Sequence, residues 1–354
     1  MNKLKISQYL AFTIVGAFIV IAISGAYLRP DKTNNANNQQ IELARLEMFT
    51  SIPVFYQNQT PQLDNEDTWY TPLFLGSLGQ TDQTIPTTYH TLKNDSIVNY
   101  FVHPVRQDTL IQVIAINDLL TENGAPIKAS KYYVLGTDKF GRDMLSRLMA
   151  GSCISLSVGL IAVLISLLIG ITFGLLAGYF GGKTDAIIMW LVNVVWSVPT
   201  LLMVIAVTFA LGKGFVQVFV AVGLTMWVEV ARVVRGEAMR IKERSFIKSG
   251  RVLGYSHLRL MTKHILPNVW APVIVISAAN FATAILMEAG LSFLGVGTQV
   301  PMPSWGGIIR DHYALLTTSS SFLAIAPGIC IMILVFAFMM IGNWLRDVLD
   351  VKVQ

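Results

Sequence analysis

The residues that most clearly suggest a chemical function are Gly182, Lys183 and Thr184. They match the end of a phosphate-binding loop. That loop has the form G-x-x-x-x-G-K-[ST], and its backbone N–H groups and lysine hold nucleotide phosphates. The pattern requires glycine at position 177, where this chain has Ala177, and the match follows an apolar run rather than a strand. The sequence therefore predicts a tight turn here and no nucleotide binding by this chain.

Other catalytic and metal-binding patterns are absent from the sequence. The five histidines lack the partners of a catalytic triad, and no G-x-S-x-G, HExxH or CxxC motif occurs. The cysteines, Cys153 and Cys330, both lie in apolar runs, so we expect no disulfide framework. We therefore predict a protein that is not an enzyme, with no metal site and no cofactor of its own.

Glu288 is the clearest ionisable residue deep in an apolar run. A carboxylate there is costly unless it is paired or faces water. Glu288 therefore either faces a translocation path or joins two spans, or else it stabilises a helix end or pairs with another subunit. Glu229 lies nearer the end of its run, and we expect it to pair with Arg232 or Arg235.

A basic segment, residues 231–269, lies between two apolar runs. It carries nine lysines and arginines against two acids, Glu237 and Glu243. Because these charges flank apolar runs, they indicate a loop held in the cytoplasm rather than a nucleic-acid site. Strong helix formers predict a helix from Arg232 to Leu253, which glycines at its end weaken or terminate.

A second short helix is expected from Leu258 to Ile265, with Ser256 as its N-cap and Pro267 closing it before the next span. Two short helices joined by a glycine turn favour a rigid projecting docking surface. The alternative is a basic amphipathic helix that lies on anionic lipid.

The composition places the elements around this segment in a membrane. Only 13% of the 354 residues are charged and 53% are hydrophobic, whereas soluble proteins are about 25% charged. Six apolar runs are long enough to cross about 30 Å of hydrocarbon. They are Tyr9–Tyr27, Ser152–Phe180, Ile187–Leu211, Val216–Val234, Trp270–Leu294 and Phe322–Ile341. Six spans would place both termini in the cytoplasm with the basic segment.

Two features qualify these spans. The first run exceeds a signal-peptide core in length, so we interpret it as an uncleaved anchor, a cleaved signal peptide being the alternative. The third run contains Pro199, which we expect one membrane helix to tolerate.

Residues 29–130 have a different composition. Residues 34–40 are predicted to form a polar tether, and residues 68–75, 96–105 and 109–117 to form strands or buried segments. We predict a mixed or β-rich extracytoplasmic inserted domain between an N-terminal transmembrane helix at 1–28 and a five-span core at 131–350.

The basic segment resembles the EAA loop of bacterial ABC-importer permeases, E-A-A-x3-G followed by L-P. The matching positions are Gly254, Leu266 and Pro267, and the residues at the E-A-A positions are Lys248, Ser249 and Gly250. A base thus replaces the acid of the family pattern. The resemblance places the coupling loop at residues 235–268.

A second segment resembles the G-T-D-x-x-G-R-D-x-x-S-R-L-x-x-G motif of the C-type subunit in the dipeptide/oligopeptide/nickel permease group. The residues in register are Gly136, Thr137, Asp138, Gly141, Arg142, Asp143, Ser146, Arg147 and Gly151. Residues 178–185, 303–311 and 343–350 match as well. Trp190 and Asn193 stand where the family has an arginine and an aspartate, so a charge pair is missing.

The resemblance implies an all-α polytopic protein with the six-helix fold of type I ABC-importer permeases, in the bacterial inner membrane. It also implies four partner chains: a second homologous permease, two cytoplasmic ATP-binding subunits that use the ATP, and an extracytoplasmic solute-binding protein. Peptides are the family's commonest cargo.

In such a complex the basic segment would carry ATPase motion into the spans. Phe246 and Leu253 would form an apolar knob, and Lys248 and Arg251 would orient it. Two other classes of protein are alternatives. A membrane-anchored receptor would leave five spans without a role, and a secondary transporter predicts an inverted repeat with charges or broken helices in both halves.

Overall fold

The computed structural model describes residues 6–58, 84–93, 95–122, 125–212 and 214–350. They form two compact units. The helical unit comprises Met1–Phe18, Ser155–Gln299 and Gly328–Gln354, and the β-containing unit comprises Ile19–Ile154 and Val300–Pro327.

Nine α-helices occur in the described chain. They are α1 Ile6–Leu28, α2 Met144–Phe180, α3 Gly182–Trp196, α4 Thr200–Leu211, α5 Phe215–Lys242, α6 Ser245–Val252, α7 His257–Phe293, α8 Trp305–His312 and α9 Phe322–Asp350. Five of these helices (α1, α2, α5, α7 and α9) are long and apolar enough to cross a membrane, which confirms a helical polytopic protein.

The third predicted span is not one helix. Helices α3 and α4 meet at an angle of 92° across residues 197–199, so the expectation that Pro199 is tolerated within one helix was wrong. Pro199 has extended backbone angles, φ −53° and ψ 126°. Proline has no N–H to donate and disfavours helix at the preceding residue, which explains the break. Counting the bent pair as one span gives the expected six.

Helix α7 also differs from its prediction, because no short helix ends at Pro267. A π-helical turn at Leu260–Ile265 comes just before the proline, and the helix continues unbroken into the membrane span. In this turn the Leu266 N–H donates to the Met261 carbonyl, five residues back. The wider turn accommodates the missing proline donor without ending the helix.

Glycines bring α2 and α5 into close contact within the helical unit. A Cβ at Gly170, Gly174 or Gly178 would lie 2.5–2.7 Å from atoms of Val230, Val234 or Ala238. Small residues at spacings of four let membrane helices approach backbone to backbone. As predicted, the phosphate-loop look-alike is a tight turn between helices, with φ +68° at Gly181 and +52° at Gly182.

Within the residues that the structure describes, the β-containing unit carries eight short strands. They are β1 Thr50–Tyr56, β2 Thr84–Pro86, β3 Tyr89–Lys93, β4 Ser96–Val102, β5 Thr109–Ala115, β6 Thr121–Glu122, β7 Ala125–Pro126 and β8 Lys128–Tyr133. All pairings are antiparallel, in the orders β2-β1-β8, β3-β4-β5 and β6-β7. Strands β4 and β5 confirm two predicted segments, whereas the predicted segment 68–75 lies outside the described residues.

Residues 34–40 are not a free tether. Ala36 is fully buried, and the Gln40 side-chain amide donates to the Thr84 carbonyl at 2.6 Å. Asn35 adopts φ +56°, a left-handed conformation that asparagine tolerates better than most residues. The polar composition of residues 34–40 suggested that they face solvent. Instead, the Gln40 amide donates a hydrogen bond to the carbonyl of the buried residue Thr84.

Candidate functional site

The basic segment begins as a direct continuation of a membrane helix. Helix α5 runs without a break through Arg232 to Lys242, and only Glu243 and Arg244 separate it from α6. The predicted single helix from Arg232 to Leu253 is therefore two helices. Ser256 caps α7 as predicted, its hydroxyl accepting from the Arg259 N–H at 3.3 Å.

The turn after α6 is a Schellman motif. The Tyr255 N–H donates to the Gly250 carbonyl and the Gly254 N–H to the Arg251 carbonyl, each at 3.0 Å. Gly254 has φ +79°, and no heavy atom lies within 4 Å of the position of its missing Cβ. The turn therefore requires glycine for its backbone angle and not for lack of space.

Helix α6 is packed onto the ends of three membrane helices. Its Ile247 is fully buried. The buried side chains around it come from α2, α5 and α7 and include Tyr179, Val234, Ile241, Leu260 and Ile265. Gly250 is also buried, with the Leu260 and Tyr255 side chains 3.0 and 3.2 Å from its missing Cβ. Such dense packing fixes α6 rigidly against the ends of these helices.

Aromatic and basic side chains reinforce this attachment. The Tyr179 hydroxyl lies 2.7 Å from His257 Nδ1, which joins the end of α2 to the start of α7. The Arg251 guanidinium stacks 5.1 Å from the centre of the Tyr179 ring, and that of Arg259 lies 4.2 Å from the Tyr255 ring. Arg251 thus holds α6 against α2 from the outer side.

The tip of the segment exposes apolar side chains. Val252 is 88% exposed and Leu253 71% exposed, and Leu258 is exposed as well, whereas Phe246 is exposed at the opposite end of α6. Of the two residues predicted to form one apolar knob, Leu253 therefore lies at the tip and Phe246 does not, and Val252 and Leu258 were missed. A cluster of exposed large apolar groups on a rigid element is typical of a protein interaction site.

Lys248, at the family's acidic position, pairs with Glu243 at 3.0 Å. The hydrogen bond from Lys248 lowers the pKa of the Glu243 carboxyl. Both side chains are more than 60% exposed, so the pair contributes little to stability. The ion pair nevertheless leaves no uncompensated charge at position 248. The neighbouring Ser249 is exposed.

Leu266 and Pro267 lie at the start of the membrane part of α7. Leu266 is half-buried against the cluster around Ile247. Pro267 lines a groove of about 1290 Å³ between α5, α6, α7 and α9, beside Phe246. Both residues therefore lie at the base of the segment and not at its tip.

The arginines near Glu229 do not pair with it, contrary to the prediction. Arg235 forms a two-pronged ion pair with Asp185, at 2.5 and 2.6 Å. Arg232 donates to the Asn193 side-chain oxygen at 2.9 Å and lies 3.5 Å over the Trp196 ring. Because Asn193 still accepts this hydrogen bond, the substituted position retains a contact between α3 and α5.

The second family motif forms a buried polar cluster in the β-containing unit. The Asp138 carboxylate accepts from the Arg142 guanidinium at 2.7 Å and from the backbone N–H groups of Phe140 and Arg142. Arg147 lies 3.5 Å from the same carboxylate. The Arg142 side chain also donates to Asn37 at 3.0 Å and lies 4.0 Å from Asp311.

The remaining motif residues bind the chain that precedes the strands. The Thr137 hydroxyl donates to the Leu43 carbonyl and accepts from the Leu46 N–H. A Cβ at Gly136 or Gly141 would overlap the backbone of residues 46 and 40 respectively, at 2.1 and 1.6 Å. These glycines are required for close approach as well as for their positive φ.

A third set of contacts fixes the start of α2. Asp143 accepts from the Ser146 hydroxyl and N–H, and the Asp31 N–H donates to the same hydroxyl at 2.9 Å. The Trp305 ring N–H donates to the Leu148 carbonyl at 3.0 Å, and its ring lies 2.7 Å from the missing Cβ of Gly151. The motif residues therefore join distant chain segments; sequence reasoning missed the partners Asp31, Asn37 and Asp311.

Glu288 is fully buried within the helical unit. Its carboxylate accepts from the Ser292 hydroxyl at 2.7 Å and lies 3.4 Å from the Ser155 hydroxyl on α2. The structure thus places Glu288 in a contact between α2 and α7. This position favours the interpretation as an interspan contact.

Residues 170–354 match the family described as binding-protein-dependent transport system inner membrane component. The chain is 38% identical over 225 residues to the oligopeptide transport system permease protein OppC of Bacillus subtilis (strain 168), covering 64% of this chain and 73% of that relative. It is 36% identical over 239 residues to the dipeptide transport system permease protein DppC of the same organism, covering 68% and 74%.

A solved structure with a similar chain is the MetNI methionine ABC transporter in an inward-facing conformation. The TM-score is 0.48 and the sequence identity 17%, over 58% of this chain and 97% of that chain.

Proposed function

This chain belongs to the family of binding-protein-dependent transport system inner membrane components, and we propose that it forms a solute path through the bacterial cytoplasmic membrane together with a second homologous permease. The chain is a permease subunit of an ABC importer, which removes the receptor and secondary-transporter alternatives. In this proposal two cytoplasmic subunits bind and use the ATP, this chain binds none, and an extracytoplasmic protein delivers the solute.

The observation that carries the proposal is the construction of the basic segment. Helix α6 is packed on α2, α5 and α7, and it presents Val252, Leu253 and Leu258 to the outside. A rigid lever with an apolar tip is what transmission of an ATPase motion requires, because a flexible loop would absorb the displacement. The proposed coupling residues are Phe246, Lys248, Ser249, Gly250, Arg251, Leu253, Gly254, Leu266 and Pro267.

The proposed orientation follows the charges of this segment. Basic loops stay in the cytoplasm, and helices α5 and α7 both carry the segment at one end. With the bent pair α3–α4 counted as one span, both termini then lie in the cytoplasm as well.

Peptides are the proposed solute class. The relatives OppC and DppC are named as oligopeptide and dipeptide permeases. The family match covers residues 170–354, which include the basic segment and the spans on either side of it, so the same class of solute is the natural proposal for this chain.

Substitution of Gly254 tests whether α6 acts as a rigid lever in coupling. Gly254→Leu forces a residue that avoids positive φ into the Schellman turn, at a cost of roughly 1–2 kcal/mol, and misdirects the apolar tip. We expect ATP-driven uptake into proteoliposomes that contain the complete importer to fall at least about tenfold, while the four partner chains still co-purify.

Gly254→Asn is the matched control, since asparagine tolerates the left-handed conformation. It should retain most of the uptake. Normal uptake by Gly254→Leu, or equal loss in both variants, would contradict a role for the turn in coupling.

A further inference from the structure

Glu229 occupies an unusual place on α5. It lies 14 residues after the start of the helix at Phe215, about 21 Å along the helix axis, which is less than the roughly 30 Å thickness of the hydrocarbon. Its neighbours Val228 and Val230 are buried, whereas Glu229 itself is exposed. A carboxylate at this depth is stable only where it meets water or a cation.

Within the described residues Glu229 has no ion pair and no hydrogen bond. Its two nearest basic neighbours along the helix are committed to other partners, Arg232 to Asn193 and Trp196 and Arg235 to Asp185. The carboxylate is therefore free to accept from a group outside this chain.

The surroundings of Glu229 form a small cavity at the break between α3 and α4. The cavity has a volume of about 70 Å³ and is lined by Trp196 and Thr200 at the break, by Thr225 on α5, and by Thr283 and Met287 on α7. Such a volume holds a few water molecules, so it accommodates one end group of a solute and not a whole peptide.

The cavity presents hydrogen-bond acceptors. The Thr225 and Thr283 hydroxyls donate to carbonyls of their own helices, at 2.8 and 3.0 Å. Their oxygens, like the Glu229 carboxylate, are thus left to accept. An ammonium group has three donors and no acceptor, which matches this set.

The break between α3 and α4 borders the same cavity, through Trp196 and Thr200. Residues 197–199 are irregular backbone and exposed, and they lie after a 15-residue helix, about 22 Å from its start. Irregular backbone at membrane depth is tolerated where it lines a water-filled cavity or is covered by protein. A carboxylate, acceptor hydroxyls and irregular backbone meet at one point of the helical unit.

We propose that Glu229 and the cavity around it bind the α-ammonium group of a peptide as it crosses the membrane. This inference rests on the proposed function, and it makes the amino terminus the part of the peptide that this chain recognises. Thr225 and Thr283 would accept the two remaining ammonium N–H groups.

The test compares two forms of one peptide, with a free and with an acetylated amino terminus, chosen so that the solute-binding protein binds both equally by direct titration. Uptake is measured in proteoliposomes with the complete importer. We expect Glu229→Gln to lower uptake of the free peptide about tenfold. The substitution replaces a charge-assisted hydrogen bond with a weaker neutral one, and about tenfold is the loss expected from that change. Uptake of the acetylated peptide should stay unchanged.

Two controls accompany this variant. Glu122→Gln removes a carboxylate exposed on β6 and should change neither uptake, and Glu229→Asp should keep a preference for the free peptide. If Glu229→Gln lowers both uptakes equally, or releases the second permease from the purified complex, Glu229 pairs with a subunit and the inference is overturned. If the wild-type importer carries other solutes but no peptide, the proposed solute class fails, and the inference fails with it.

Discussion

At the scale of single residues, His103 is a pH-sensitive contact in the β-containing unit. Its Nε2 lies 2.9 Å from the Ala44 carbonyl, and its Nδ1 accepts from the N–H groups of Val105 and Arg106 at 3.1 and 3.0 Å. Burial is the main cause that lowers the pKa of His103 below its ordinary value. Protonation of Nδ1 would remove the lone pair that accepts both N–H groups.

Because the folded pKa is lowered, the folded state binds fewer protons than the unfolded chain. The stability that His103 provides is therefore complete above the unfolded pKa of about 6.5 and is lost as the pH falls below that value. Hydrogen–deuterium exchange of residues 96–115 should accelerate at about pH 5 relative to about pH 7.5 after correction for intrinsic rates.

His103→Gln should reduce this pH response, and His90→Gln on β3 should leave it in place. An identical response in His103→Gln and the wild type would show that other groups cause it.

At the scale of elements, the glycine contact between α2 and α5 sets how closely these helices pack. A Cβ at Gly174 would lie 2.7 Å from both the Ala231 carbonyl oxygen and Val234 Cβ. Neither a backbone carbonyl nor a β-branched side chain can move aside at low cost. Helix α5 is also the element that leads into the basic segment.

Gly174→Val should therefore lower the free energy of unfolding by about 1–3 kcal/mol, measured by thermal or denaturant unfolding of the purified protein in detergent. Gly328→Val on α9 is the control, because no heavy atom lies within 4 Å of its missing Cβ. Equal stability of the two variants would contradict close packing at Gly174.

At the scale of the whole molecule, the strands between residues 50 and 133 begin and end beside each other. Thr50 pairs with Tyr133 across β1 and β8, and the Phe49 N–H donates to the Val134 carbonyl at 3.2 Å. The preceding residues 31–46, in contrast, hold the motif residues through Asn37, Leu43 and Leu46. The inserted region thus contains two parts with different roles.

Removing these two parts should have different consequences. The first variant lacks residues 50–133, is closed by an Asn-Gly turn and has Leu43 and Leu46 changed to glutamine. We expect it to assemble with the ATPase subunits. A chain that lacks residues 35–125 should assemble poorly, because it loses the partners of Thr137 and Arg142. Co-purification and thermal stability are the measurements; equal assembly of both chains would contradict this division.

The sequence predicted the elements that depend on composition and local signals. Long apolar runs gave five helices of membrane length, and the Ser256 cap and the Gly254 turn followed from the chemistry of those residues. The bend at Pro199 and the passage of α7 through Pro267 were missed. Proline permits either outcome, and the surrounding packing decides between them.

Contacts between distant residues were the part that sequence reasoning could not supply. The motif from Gly136 to Arg147 was recognised, but nothing in its spacing indicated Asp31 or Asp311. Arg235 was expected to pair with Glu229 on its own helix, but it forms an ion pair with Asp185 on α3. An ion-pair partner depends on how helices are arranged in space, and one sequence without a fold does not contain that information.

The unbroken course of α5 has a mechanical consequence. The helix is clamped against α2 around Val234, about 12 Å from its basic end at Lys242 and about 28 Å from its other end at Phe215. A stiff rod that pivots at such a point magnifies movement roughly twofold from the short arm to the long one. A displacement of little more than about 1 Å at the basic end would then move the far end by about 2–3 Å, enough to widen a narrow passage.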